Sequence, residues 1–198
     1  MLAQACGRHR RAEVVSLHAV ACIGAQEIDL LVIHNISLPP GQYGGDYIDD
    51  FFCNRLSAEA HPYFQEIAAL QVSAHLLIRR DGVVHQYVPF DRKAWHAGRS
   101  LFCGRENCND FSIGIELEGC DTEPFSEAQY EQLARITVLL QWTYPGITED
   151  RIVGHSDIAP DRKTDPGPHF DWKRYRQLCS IARSRRDAPD SPSLDARP

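Results

Sequence analysis

The sequence lacks a long apolar run. Nowhere among its 198 residues do about 18 apolar residues follow one another, as a membrane-spanning helix requires. The positively charged N-terminus is not followed by the apolar stretch of about 7–15 residues that marks a signal peptide. We therefore predict neither a membrane partner nor Sec-type export.

An excess of positive charge is lacking as well. The formal net charge at pH 7 is −6, from 21 Lys and Arg against 27 Asp and Glu. Proteins that bind nucleic acid through a broad surface usually carry a basic patch and a positive net charge. The composition argues against nucleic acid as a partner, although it leaves room for a local basic pocket.

The seven cysteines lack the pattern of a disulfide framework or of a closed zinc site. Their number is odd, their spacing is irregular and no export signal accompanies them, which favours free thiols in a cytoplasmic protein. Cys103 and Cys108 have the spacing of half a metal knuckle, but the chain has no matching second pair. We expect free thiols and a cytoplasmic location.

What is present is the composition of one globular domain, with 43% hydrophobic and 24% charged residues. Residues 1–25 show no clear periodicity and are predicted to be irregular. Residues 184–198 are rich in Arg, Asp, Pro and Ser, which predicts a disordered tail. The remaining residues, 26–183, are long enough to bury a core of their own.

Predicted strands and helices alternate along this domain. The pair Asp81-Gly82 predicts a hairpin, because glycine takes the positive φ of a tight turn. Ser126 and Gln129 have capping-box spacing at the start of a helix that ends at Pro145-Gly146. Strands are predicted at 28–33, 71–79, 83–88, 111–117 and 151–154, and helices at 47–56, 126–144 and 172–183. This order predicts a mixed central β-sheet flanked by helices, of the α/β or α+β class.

Three residues with metal-binding side chains follow predicted strands. His34 ends the first strand, His155 follows the last, and Asp165 lies ten residues further in a proline-rich loop. Two imidazoles and one carboxylate suit a catalytic zinc ion, since three protein ligands leave the fourth position for water. A second interpretation stays open from spacing alone: His34 caps a strand and His155 is a hydrogen-bonded core residue.

Two further residues have the chemistry of an amide hydrolase. Glu116 lies in an otherwise apolar strand, on the face that it shares with Glu118, where a carboxylate can act as a proton shuttle. Lys163 stands two residues before Asp165, and a lysine beside a metal can stabilise an oxyanion. The alternatives are that both glutamates face water and that Lys163 is an ordinary surface lysine.

Six ordered blocks of the sequence resemble one family, the AmpD amidases, from about residue 28 to residue 172. The blocks are HNISLPPGQYGG, HPYF, VSAHLLIRRDG, QYVPFDRKAWHAGRS, GRENCNDFSIGIELEG and GHSDIAPDRKTDPG. AmpD proteins are cytoplasmic 1,6-anhydro-N-acetylmuramyl-L-alanine amidases of Gram-negative cell-wall recycling. The resemblance therefore implies a mixed sheet packed by helices, a zinc cofactor and an anhydromuropeptide substrate.

The resemblance also implies roles for individual residues. His34, His155 and Asp165 would be the zinc ligands, Glu116 the proton shuttle and Lys163 the oxyanion stabiliser. Asn35, Trp95 and Arg105 match positions that line the substrate groove, although a tryptophan there is also consistent with packing alone. His75 and His96 are interpreted as structural or supporting residues, because the ligand set is complete without them.

The chain departs from the family at two positions where relatives often carry arginine. Gln71 and Asn107 are neutral amides, which weakens the expected grip on a diaminopimelate carboxylate. Three alternative functions remain: a peptidoglycan-binding module without catalysis, an exported autolysin acting on intact murein, and a protein with a purely structural zinc ion. The first usually lacks a metal ligand, often at the position of Asp165, and the second needs an export signal.

Overall fold

The structure, a computed structural model, describes residues 28–187. Within them a five-stranded sheet has the strand order β3-β2-β6-β1-β7, and a separate hairpin is formed by β4 and β5. The strands are β1 (Leu30–Ile36), β2 (Leu76–Ile78), β3 (Val84–Gln86), β4 (Leu101–Phe102), β5 (Arg105–Glu106), β6 (Ser112–Glu118) and β7 (Ile152–Gly154). Strands β2, β6, β1 and β7 are parallel and β3 is antiparallel, which confirms the predicted mixed sheet.

Helices cover this sheet, as predicted. They are α1 (Tyr47–Phe52), α2 (Phe64–Ile67), α3 (Glu127–Thr143), α4 (His155–Ile158) and α5 (Trp172–Asp187). The capping box of Ser126 and Gln129 opens α3. No helix among residues 28–187 has both the length and the apolar character needed to cross a bilayer.

Helix α5 runs to Asp187, so the predicted start of a tail at residue 184 is wrong. Arg185 and Arg186 lie in its last turn, where positive charge stabilises a helix through the macrodipole. This stabilisation extends the helix into a segment whose polar composition predicts that it ends at residue 183. The predicted irregular segment 1–25 and residues 188–198 lie outside the described residues.

Strand β6 separates an apolar face from a polar one. Ile113, Ile115 and Leu117 are fully buried in the main core with side chains of α3 and α5. On the other face Glu116 is 8% exposed and Glu118 is 2% exposed. The interpretation that both glutamates face water is therefore wrong, because α1 and the loops around it cover this side of the sheet as well.

Two local predictions need correction. Strand β1 continues two residues past His34, because its parallel pairing with β6 extends to Ile36 and Glu118. Cys53 is disulfide-bonded, so the expectation of free thiols is wrong for this residue; count and spacing do not show which thiols approach within bonding distance. The free cysteines among the described residues are Cys103, Cys108, Cys120 and Cys179.

Candidate metal centre

Three side chains that are far apart in the sequence meet at one point. His34 Nδ1 lies 3.0 Å from His155 Nδ1 and 3.0 Å from Asp165 Oδ2, and His155 Nδ1 lies 3.1 Å from the same oxygen. Among the described residues, these three form the group of His, Cys, Asp and Glu side chains able to hold a metal ion. The core interpretation of His34 and His155 does not account for this convergence with a carboxylate.

The sheet positions each member of the triad. His34 lies in β1, the strand that pairs with β6 on one side and β7 on the other. His155 is the first residue of α4, directly after β7. The loop that carries Asp165 is held to α4 by a hydrogen bond from Ser156 N to the Asp165 carbonyl (3.0 Å). A side chain at Gly154 would come within 2.7 Å of Pro166 Cδ, so glycine lets this loop approach.

Hydrogen bonds on the far side of each imidazole set the position of its proton. His155 Nε2 lies 3.1 Å from the Ala97 carbonyl, to which it can only donate. The Ser112 hydroxyl donates to the Cys108 carbonyl (2.6 Å), so its oxygen accepts from His96 Nε2 (3.2 Å). His96 Nδ1 then accepts from His34 Nε2 (2.9 Å). With its proton on Nε2, the neutral form of either ligand histidine carries a lone pair on Nδ1.

The consequence is that three lone pairs, two imidazole and one carboxylate, point at one another. Such an arrangement repels itself unless a cation lies between the atoms. Burial lowers the pKa of His34 to about 4, which keeps the ring in the neutral form that coordinates a metal. The donor set fits a divalent metal such as zinc.

Glu116 is the neighbour of His34 in the paired register of β1 and β6. Its Oε2 atom is buried without a hydrogen-bond partner in the described part of the chain. Burial, followed by the charge of Asp165, raises the pKa of Glu116 well above its ordinary value, and Lys163 opposes this shift. A buried carboxyl group without a fixed partner is suited to exchange a proton with a reactant.

A cleft of about 640 Å³ opens over these groups, within the usual volume of a small-molecule site. The triad, Glu116 and Lys163 are among the residues that line it. Aromatic side chains contribute to its walls: Phe51, Phe52, Tyr63 and Trp95. We call it the metal-site cleft.

The three predicted groove residues occupy different places. Trp95 lines the metal-site cleft and is 51% exposed, so packing alone does not explain its position. Asn35 also lines the cleft, but its amide donates to Asp121 Oδ1 (2.7 Å) and to the Pro166 carbonyl (3.1 Å). It thereby holds the loop that carries Asp165.

Arg105 is not among the residues that line the cleft. Its guanidinium forms an ion pair with Asp29 (2.6 Å) and lies over the ring of Phe111 at 3.7 Å. Asp121, which does line the cleft, was missed by the sequence analysis. Its place just beyond the carboxyl end of a parallel strand was the available signal, because such ends meet at one edge of a sheet.

Comparisons with known proteins show the family of the chain. Residues 24–168 match the family described as N-acetylmuramoyl-L-alanine amidase (Amidase_2). The chain is 63% identical over 151 residues to the 1,6-anhydro-N-acetylmuramyl-L-alanine amidase AmpD of Escherichia coli strain K12, covering 76% of this chain and 82% of that protein.

Solved structures give the same result. A crystal structure of a selenomethionine AmpD derivative matches with a TM-score of 0.76 and 60% identity, over 77% of this chain and 85% of that one. The amidase AmiD from E. coli, in complex with the substrate anhydro-N-acetylmuramic acid-L-Ala-D-gamma-Glu-L-Lys, matches with a TM-score of 0.58 and 32% identity, over 81% and 60%. The chain therefore belongs to the N-acetylmuramoyl-L-alanine amidase family and is an amidase of that class.

Proposed function

We propose that this chain uses zinc to hydrolyse the amide bond between the lactyl group of 1,6-anhydro-N-acetylmuramic acid and L-alanine, in cell-wall recycling. The convergence of three lone pairs from His34, His155 and Asp165 is the observation that carries the zinc assignment. The proposal includes a catalytic domain that begins near residue 26 and ends with α5 at Asp187, and a cytoplasmic location.

In this proposal His34, His155 and Asp165 hold the metal. Zinc bound there supplies a Lewis acid that polarises the amide carbonyl and lowers the pKa of a coordinated water to about 7. All three side chains line the metal-site cleft, so a metal that they held would be within reach of a molecule in the cleft.

Glu116 and Lys163 carry out the proton transfer and the charge stabilisation. Glu116 removes a proton from the attacking water and returns it to the amine of alanine as the C–N bond breaks, which leaves a lactyl carboxylate and a free peptide. Lys163 stabilises the negative charge that develops on the carbonyl oxygen. The effect of Lys163 on the pKa of both Glu116 and His34 supports its position close to the reacting atoms.

The substrate assignment is supported by two relatives. One is named for 1,6-anhydro-N-acetylmuramyl-L-alanine, and the other is bound to an anhydro-N-acetylmuramic acid peptide. A cleft of this volume with aromatic walls suits a sugar ring and the first residues of a peptide.

The test is release of free peptide from a soluble anhydromuropeptide by the purified chain, followed by chromatography. We expect the wild-type chain to release peptide, a strong chelator to abolish this turnover and added zinc to restore it. Asp165→Asn should lose both turnover and metal binding. Unchanged turnover after thorough chelation would contradict the zinc mechanism. Parallel assays with non-anhydro fragments and with intact murein test the substrate class, and faster cleavage of the polymer would favour an autolysin.

A further inference from the structure

Both histidine ligands are hydrogen-bonded by one two-residue segment, His96–Ala97. His34 Nε2 lies 2.9 Å from His96 Nδ1, and His155 Nε2 lies 3.1 Å from the Ala97 carbonyl. Groups that accept the second N–H of a metal-binding histidine fix its tautomer and ring orientation. We propose that His96–Ala97 is the shared positioning element of the two imidazole ligands, an inference that rests on the proposed zinc site.

His96 is held in a state that can only accept from His34. Its ring is half-buried, and the His34 ring lies edge-on to it at 4.9 Å between centroids. The Ser112 hydroxyl uses its proton on the Cys108 carbonyl (2.6 Å), which leaves an acceptor for His96 Nε2. The direction of the whole chain of hydrogen bonds is thus set by a backbone carbonyl and not by the ligands themselves.

Strand β6 has a gap that admits the His96 ring. A Cβ atom at Gly114 would lie 2.4 Å from His96 Cγ and 2.5 Å from its Nδ1, far closer than atoms approach without overlap. Glycine at this position therefore lets the ring lie against the strand. Any larger residue would move His96 away from His34.

The backbone of the segment is fixed by a buried amide. Asn109 Oδ1 accepts from His96 N (3.0 Å) and from Ala97 N (2.7 Å), and Asn109 is buried. The Ala97 carbonyl accepts a second hydrogen bond, from Arg162 Nη2 (2.6 Å). These bonds hold the ring of His96 and the carbonyl of Ala97 in one rigid unit, so a disturbance of the segment reaches both ligands.

His75 offers a matched control. It is a buried histidine on the same side of the sheet, with Nδ1 bound to Gly114 N (3.0 Å) and Nε2 to the Arg92 carbonyl (3.0 Å). It has no hydrogen bond with a ligand of the triad. Replacing it removes a buried imidazole of the same size without removing a support of His34 or His155.

The experiment measures the zinc dissociation constant of the full chain by competition with a chromophoric chelator. We expect His96→Leu to weaken zinc binding roughly 10–100-fold. His96→Asn should recover much of this loss, because its Oδ1 can take the place of Nδ1 as an acceptor. His75→Leu should leave the constant within about threefold of wild type, well below the change of roughly 10–100-fold expected for a lost support.

Two further measurements separate positioning from a general loss of structure. Thermal unfolding of the metal-free proteins reports stability, and the visible absorption of the cobalt(II) form reports ligand geometry. We expect an altered cobalt spectrum for His96→Leu and for Asn109→Ala, but not for His75→Leu. The Asn109→Ala variant retains every imidazole and loosens only the backbone of the His96–Ala97 segment.

The outcomes distinguish the two proposals. A wild-type chain that binds no zinc would overturn the proposed function. A wild-type chain that binds zinc, with His96→Leu and Asn109→Ala indistinguishable from it in affinity and cobalt spectrum, would overturn the positioning role alone. If His96→Leu does not fold, the Asn109→Ala result decides in the same way.

Discussion

Glu116 and Glu118 lie two residues apart on the same face of β6, and both are buried. Glu118 accepts hydrogen bonds from Arg79 Nη1 (2.9 Å), Gly44 N (2.7 Å) and Arg80 N (3.1 Å). Glu116 has one oxygen with no partner among residues 28–187, and burial raises its pKa well above the ordinary value. The two carboxyl groups differ in partners and not in burial.

This difference separates a structural charge from a reactive one. A buried carboxylate costs free energy unless it is paired and hydrogen-bonded. Glu118 meets that condition within a closed network, and so it fixes the chain around it. Glu116 does not meet it, because one of its oxygens has no partner in the described residues. Its side chain lines the metal-site cleft, where a reactant can supply the missing partner.

The Glu118 network reaches the segment before α1. Arg79 also donates to Asp49 Oδ2 (2.5 Å) and to the Gly45 carbonyl (2.9 Å). Together with the bond from Gly44 to Glu118, these contacts tie the end of loop 37–45 to the sheet. The start of the same loop lines the metal-site cleft. The hydrogen-bond network around Glu118 therefore helps to hold one border of the cleft in which Glu116 lies.

The largest expected contrast comes from exchanging each glutamate for its amide. Glu116→Gln should lower kcat about 10²–10⁴-fold, because it removes the group that transfers the proton, and it should leave zinc affinity unchanged. Glu118→Gln should keep zinc binding and the chemistry, and it should lower the free energy of unfolding by about 1–3 kcal/mol, because Arg79 loses a charged partner. Single-turnover kinetics and urea unfolding measure the two effects.

The comparison would break if the two variants behaved alike. Near-wild-type turnover in Glu116→Gln refutes its role as the proton shuttle. A large loss of kcat in a folded Glu118→Gln protein would mean that the network takes part in catalysis directly.

A smaller loss of kcat is expected when Lys163 is replaced. This variant tests whether a charge next to the metal site acts on the reaction, as a surface charge would not. Lys163→Met should reduce kcat about 10²–10³-fold, the usual cost of losing an oxyanion donor, with zinc affinity retained. Lys173→Met is the matched control, because that lysine is exposed in α5 and should leave kcat unchanged. Equal activities of the two variants would remove Lys163 from the mechanism.

Much of the fold that positions Glu116 and Glu118 was predictable from the sequence. The mixed sheet, the hairpin at Asp81-Gly82 and the cap at Ser126 follow from local patterns, and the structure shows all three. Alternation along β6 separated the apolar face from the glutamates. The residues also suggested a triad at strand ends, although spacing alone left a core interpretation open, and the structure is needed to bring the three side chains together.

The remaining features depend on partners that are distant in sequence. Alternation treats Glu116 and Glu118 alike, since the group that distinguishes them, Arg79, lies 39 residues before Glu118. The support of His155 is a backbone carbonyl at Ala97, which no residue pattern reveals. Asn35 has a groove-like position, but its contacts with Asp121 and Pro166 hold a loop; its predicted contact with substrate stays a prediction.

The smallest expected effect is an acid-dependent loss of stability from the closed network. Burial alone would raise the pKa of the Asp49 carboxyl, but hydrogen bonds from His85 and Tyr87 and the charge of Arg79 lower it below its ordinary value. A depressed folded-state pKa stabilises the fold above the unfolded-state value, about 3.9, and this contribution is lost as pH falls below it towards the folded pKa. We therefore expect the stability gap between wild type and Asp49→Asn, measured by urea unfolding of the metal-free proteins, to be widest near pH 6 and to narrow from pH 4 to pH 3. A stability gap that stays constant over this range would show that the network does not hold Asp49 as a carboxylate. The structural charge network would then consist of the ion pair between Glu118 and Arg79 alone.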